Sequence, residues 1–523
     1  MSTTKNLLVE LFVEELPPKA LKKLGESFAA TLAASLKAQG LAAGDAVATP
    51  FASPRRLAVH VTSVAPKAAD KAQQTKLMPV AVALDAAGNA TPALLKKLAS
   101  VGADASVVPA LKRQMDGKAE ALFLDSIVPG ATLAEGLQKA LDEALAKLPI
   151  PKVMGYQLAD GWSTVNFVRP AHGLVALYGA DVVPIATLGL TAGRITHGHR
   201  FEAAVADIDL ADADSYAAQL ADQGAVIASF DARRAEIVHQ LTAAAVKEGL
   251  KPIDDEALLD EVTALVERPN VLTCQFEPEF LAVPQECLIL TMKANQKYFP
   301  LLDAQGKLTH KFLIVSNIRP ADASAVIGGN ERVVRPRLAD AKFFFDQDRK
   351  KPLASRVPGL AKVVYHGKLG SQGDRAERVR AIGHAIVNQL RLATLPYTVE
   401  AKDEFDVLDS KVQQAALLAK TDLLTDMVGE FPELQGIMGG YYARAEGLRD
   451  GVAIAIEDHY KPRFAGDALP RNHSGTVLAL ADKLETLVGL FGIGQLPTGD
   501  KDPFALRRHA LGVIRILVEK NLP

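Results

Sequence analysis

From Asn330 to Pro523 the chain all but loses its strand signals, and this constrains the fold more than any motif does. Before that point, short runs rich in β-branched residues are interleaved with amphipathic stretches; after it, apolar residues recur at helical spacing. The pattern predicts an α+β class: a mixed first half and an all-α second half, with the boundary near residues 320–335.

Within the first half, "NLLVELFV" alternates loosely and predicts a strand, broken by "LPP". "KALKKLGESFAATLAASLKAQG" predicts an amphipathic helix stopped by Gly40, and "RRLAVHVTSV" a second strand. Residues 67–150 are rich in Ala and Lys, hold one short strand, "ALFLDSIV", and are expected to form a small inserted α+β module. Residues 1–66 and 151–200 then make one N-terminal α+β module around it. Residues 201–325 form a third, with two helices before residue 250 and a hairpin over "DAQGK". Residues 326–523 form the helical domain, whose last helix is expected to start at Asp502 and Pro503.

A hydrophobic share of 49% and a charged share of 23% place the chain among folded proteins. Its net charge of −2 gives no global basic field, so a nucleic-acid partner would have to be met by local patches. Two cysteines, Cys274 and Cys287, make no disulfide framework and read as reduced thiols of a cytoplasmic protein. Glu10, Glu14 and Glu15 interrupt the first apolar run, which excludes a signal peptide. Gly173–Gly193 is nearly uncharged and long enough to span a bilayer, but Gly179, Asp181 and Pro184 break it. It predicts two buried strands turning at "YGAD", and no membrane association.

The stretch "ALLAKTDLLTDMVGEF" looks like the helix on which HD-type phosphohydrolases carry a His-Asp metal pair, and Asp482 in "ALADKLETLVGL" stands where such enzymes use a late aspartate. A catalytic cation must be held by several such side chains to acidify a bound water. Here Thr421 occupies the histidine position beside Asp422. Asp422 and Asp426, at i and i+4, are expected on one helix face, and the preceding helix offers only His384. Carboxylates so placed more often cap helices or pair with cations, so no metal and no catalytic residue is expected. His197 and His199 would share a strand face suited to zinc, but they lack a third ligand and are flanked by Arg194 and Arg200. No phosphate-binding loop or dinucleotide fingerprint is present, and no histidine motif supports a nucleophilic Cys274 or Cys287.

Local basicity remains: Arg55 and Arg56; Arg332, Arg335, Arg337 and Lys342; Arg507, Arg508 and Arg515. The planar guanidinium suits phosphate. With Glu331, Asp340 and Asp346 nearby, each cluster taken alone reads as a solvated face or an internal ion pair.

Several phrases, in order along nearly the whole chain, resemble one family, the β subunit of the bacterial tetrameric glycyl-tRNA synthetase. They include "LLVELFVEELPPKAL", "ASPRRLAV", "VNFVRPAHGLVAL", "GRITHGHRF", "GNERVVRPRLADAKFFFDQDRKKPL", "QGIMGGYYAR" and "GIGQLPTGDKDPFALRRHALGVIRIL". The resemblance implies a partner α subunit that carries the aminoacylation site with its ATP and Mg, an α2β2 heterotetramer, and tRNA(Gly) as the second partner. It implies no cofactor on this chain. It also implies that the helical half is a degenerate HD domain, with Thr421, Asp422 and Asp482 at vestigial positions, and that residues 201–325 are akin to a module of the phenylalanyl enzyme's β subunit. The tRNA contacts expected on that basis are Arg335, Arg337, Arg507, Arg508, Arg55 and Arg56. Members of the family continue past "RILVEKNL" into a helical domain resembling anticodon-binding domains, which this sequence is expected to lack.

Overall fold

The computed structural model describes residues 3–393 and 399–523. It is α+β: sheets dominate the first half of the chain and helices the second. The chain divides into two compact units that follow contacts and not chain order. Unit 1 takes Met1–Ala244, Asp254–Leu272 and Val315–Ala323; unit 2 takes Ala245–Ile253, Thr273–Ile314 and Ser324–Pro523.

Unit 1 is built on a five-stranded antiparallel sheet, ordered Asp181–Val182, Ala171–Tyr178, Lys5–Val13, Arg56–Val64, Ala48–Ser53. Val9 sits opposite Val59 on one side and Ala176 on the other. Leu7, Val9 and Leu11 pack beneath the helices Leu21–Ala38 and Leu133–Ala146, against Phe28 and Leu137. Leu8 joins Val175, Leu177, Tyr216 and Leu220 on the opposite face. Both faces are covered, so the first strand's alternation is blurred into a near-continuous apolar run. The first helix ends as expected, with Gly40 at φ 74° just beyond it. The membrane-length segment turns at Gly179, but its second strand is only Asp181–Val182 and is exposed. No helix among the described residues is long and apolar enough to cross a membrane.

The inserted segment carries a three-stranded sheet, Lys71–Pro79, Ala119–Val128 and Lys112–Asp116, with the central place taken by Ala119–Val128. It has its own small core of Leu77, Ala83, Leu94, Leu98 and Leu122.

Unit 2 contains more than helices. The hairpin Phe299–Leu302/Leu308–Ser316 forms over "DAQGK", with Gly306 at φ 76° in the turn. The residues around it group with the helices for a packing reason. The Sγ of Cys287 lies 3.4 Å from the Sδ of Met438, and the Tyr441 hydroxyl donates to Glu286 at 2.6 Å. The Tyr298 hydroxyl likewise donates to Asn330 at 2.7 Å. The long helix Ser324–Asp348 opens the helical part. The helices Gln372–Ala393 and His473–Gly492 contribute Val387 and Val477 to one core cluster. The last helix, Leu506–Glu519, starts later than Asp502, yet Asp502 still closes its first turn by accepting the N–H groups of Leu506 at 2.9 Å and Arg507 at 3.0 Å.

Candidate functional site

The segment singled out for metal chemistry lies in unit 2. Thr421–Leu424 form a single 3-10 turn, and Thr425 then caps the short helix Asp426–Glu430 by accepting the Val428 N–H at 3.3 Å. That break corrects the expectation that Asp422 and Asp426 share one helix face: Asp422 is buried and Asp426 is exposed. The Thr421 hydroxyl donates to the Leu418 carbonyl at 2.6 Å. Asp422 accepts the N–H groups of Gly436 at 2.6 Å and Gly439 at 3.0 Å on one oxygen. A Cβ at Gly439 would stand 2.6 Å from Ile456 Cγ2 and 3.2 Å from that oxygen, so a side chain there would force both to shift. Burial pushes the Asp422 carboxyl up to about 6, against the two N–H bonds.

Asp482 sits in a different environment. Arg375 Nη1 donates to it at 2.7 Å and Lys420 Nζ lies 3.3 Å away. Arg375 also lies 2.7 Å from Glu485 and donates to the Thr486 hydroxyl at 2.7 Å. Burial alone would raise the Asp482 carboxyl; Arg375 and then Lys420 outweigh it and hold it well below the usual carboxylate range. Burial pulls Lys420 down to about 8, against the attraction of Asp482. His459 is fully buried in the same cluster, its Nδ1 2.5 Å from the Ile456 carbonyl and its Nε2 without a partner. Burial, then the field of Lys420, lowers it to about 3, so it stays neutral.

These residues do not fit a divalent cation. One carboxylate already faces an arginine and a lysine, and the other is engaged by backbone N–H groups. Among the described residues no group of three or more His, Cys, Asp or Glu is placed to hold a metal. His384 pairs with Asp409 at 2.9 Å. His197 and His199 do not share a site: His197 faces Asp207 at 3.2 Å, while His199 is buried with its Nε2 2.5 Å from the Asn317 carbonyl. Cys274 and Cys287 are buried and free, and burial pushes both thiols up to about 12, which removes them as nucleophiles.

The charge network carries a pH prediction. Unfolded histidine titrates near 6.5. A folded value of about 3 for His459 means that the unfolded chain binds the extra proton between those values, so stability is lost as pH falls below 6.5. From pH 7.5 to 5 this group alone removes about 2 kcal/mol. His509, lowered to about 4 chiefly by burial, acts in the same direction. Asp422, raised to about 6, acts in the opposite direction. His459→Asn keeps a donor for Ile456 and does not titrate. Its loss of stability from pH 7.5 to 5 should be about 2 kcal/mol smaller than that of the parent, measured by urea denaturation at the two pH values.

The basic clusters separate by burial. Arg55 and Arg56, expected at a phosphate, are instead buried: Arg55 Nη2 lies 3.1 Å from Glu267, and Arg56 Nη1 lies 3.2 Å from Glu10. Arg55 also donates to the Gly198 carbonyl and Arg56 to that of His197, each at 2.7 Å. Guanidinium groups buried this deeply and already paired with Glu267 and Glu10 do not reach an RNA backbone, so these two are removed from the candidate contacts. Arg335 is exposed and pairs with Glu277 at 2.6 Å. Arg507 is exposed but donates to the Thr498 carbonyl at 2.8 Å and that of Gly499 at 3.2 Å. Arg337 and Arg508 are exposed and carry no ion pair among the described residues.

Arg375, Lys420, His459 and Glu485 were not found from sequence. The available signal was Lys420 in "ALLAKTDLL", a cation inside an apolar run that has to be paired once it is buried.

The helical unit therefore presents a core locked by its own charges, with Asp422 and Asp482 engaged inside the protein. Comparison with known proteins identifies the class. The family model of the glycyl-tRNA synthetase beta subunit matches residues 7–523. The chain is 89% identical over 518 residues to the glycine–tRNA ligase beta subunit of Leptothrix cholodnii, covering 99% of this chain and 73% of the relative. It is 72% identical over 527 residues to that of Acidovorax ebreus, covering 99% and 73%. It is 71% identical over 521 residues to that of Thiobacillus denitrificans, covering 100% and 72%. The chain belongs to the glycyl-tRNA synthetase beta subunit family. Its role is that of a subunit of a ligase of the aminoacyl-tRNA synthetase class, in protein biosynthesis.

Proposed function

We propose that this chain supplies tRNA(Gly)-binding and assembly surfaces to a cytoplasmic α2β2 glycine–tRNA ligase. The α subunit holds the aminoacylation site with its ATP and Mg. The observation that carries this reading is the locked cluster around Asp422 and Asp482, which leaves the helical unit without a reactive centre at its vestigial positions. A phosphohydrolase using Asp422, Asp426 and Asp482 gains no support from it.

The RNA-facing residues in this reading are Arg335, Arg337, Arg507 and Arg508, with Arg337 and Arg508 foremost because their guanidinium groups carry no ion pair among the described residues. Phosphate contacts position RNA without reading bases. Arg508→Ala should weaken tRNA binding with the α subunit present and lower the salt slope by about 0.7–0.9. Its stability should change by less than about 0.5 kcal/mol. Arg507→Ala should cost about 1 kcal/mol of stability through its lost carbonyl bonds. Filter binding across a salt series, with thermal unfolding of the same proteins, separates the roles. An Arg508→Ala variant with unaltered affinity and slope removes that residue from the interface.

A further inference from the structure

The last helix, Leu506–Glu519, is apolar on two sides. Its inner side is buried through Leu506 and Ile516, with Val513 packed alongside. Its outer side carries Leu511, Ile514 and Val518, which are 66%, 56% and 67% exposed. The i, i+3, i+7 spacing aligns these three as one stripe. The helix His473–Gly492, which packs against it, leaves Val488 67% and Phe491 45% exposed. Single exposed aliphatic side chains are ordinary, but an aligned row on a helix already buried on its other side is the mark of a helix meant to be enclosed.

We infer that the Leu511–Ile514–Val518 stripe is the seat of the portion of these proteins that this sequence does not contain. The relatives' lengths supply the occupant. The Leptothrix cholodnii beta subunit aligns with 99% of this chain, and that alignment uses only 73% of its own length. The unmatched part is always at hand in the same molecule, so a docked segment needs no separate partner concentration. The stripe's spacing fits an amphipathic helix presenting aliphatic side chains at matching intervals.

Thiol labelling tests this, because both native cysteines are buried and free. Ile514→Cys, Val518→Cys and, as a control, Asp450→Cys on another helix are made in two proteins. One is this chain; the other is the same chain joined to the unmatched part of the Leptothrix cholodnii relative. The docked segment should slow maleimide labelling at positions 514 and 518 by about tenfold or more in the joined protein. Labelling at position 450 should stay equal in both. A second measurement does not depend on cysteine chemistry: Leu511→Glu with Ile514→Glu should lower the melting temperature of the joined protein and leave that of this chain unchanged. Equal labelling at 514 in both proteins overturns the inference. Protection that appears in this chain alone and grows with its concentration also overturns it and assigns the stripe to a second copy. Protection that requires added α subunit assigns the stripe to that partner instead.

Discussion

Arg375→Met should destabilise the helical unit by about 3–5 kcal/mol, the cost of leaving a buried charge without its partner. Arg375 lies within 2.7 Å of both Asp482 and Glu485, and all three are buried. Removing it leaves Asp482 with Lys420 at 3.3 Å and Glu485 with Arg378 at 3.0 Å. The survivors place the effect toward the lower end of that range. Replacing Asp482 as well, by Leu, should not recover the loss, because it leaves the buried Lys420 without its carboxylate. Hydrogen exchange of the amides in the helices Gln372–Ala393 and His473–Gly492 reads the change where it arises. A loss under about 1 kcal/mol would mean that the cluster is solvated and that its locking role is misassigned.

Arg56→Met should be as costly in unit 1, again about 3–5 kcal/mol. Arg56 lies on the strand next to Glu10, diagonal to it on the same sheet face, since Phe12 is opposite Arg56 and Glu10 is opposite Ala58. It donates to Glu10 at 3.2 Å, to the Ser53 hydroxyl at 3.1 Å and to the His197 carbonyl at 2.7 Å. Glu10 in turn accepts from the hydroxyls of Thr196 and Tyr216. Arg56→Lys should not rescue the loss, because an ammonium cannot supply three divergent donors in one plane. If the residue served RNA, Arg56→Met would leave the exchange of the strand Lys5–Val13 untouched and would lower tRNA affinity alone.

The same two networks show what could be read from sequence. The amphipathic helices and the loss of strand signals after Asn330 were legible, because periodicity follows from which face is buried. The grouping of the Thr273–Ile314 strands with the helices was not, because it rests on contacts such as Cys287 with Met438, far apart in sequence. At the candidate site, Thr421 and Asp422 could be picked out as the place to look for a metal pair. The cations that occupy the space could not, since Arg375 and Asp482 meet only in the fold. Burial misled most at "PRRL": two adjacent arginines look like a surface patch, and only the sheet shows them turned inward to Glu10 and Glu267. Local charge density in a sequence carries no information on which side of a sheet it falls.

In the function proposed above, this chain serves another subunit's chemistry and performs none of the ligase's steps by itself. Glycine-dependent ATP–pyrophosphate exchange measures that most directly, with purified chain alone, α subunit alone and the two together. No exchange above background is expected from this chain at any concentration, and exchange is expected whenever the α subunit is present. Exchange by this chain alone, lost when glycine is omitted, would contradict it.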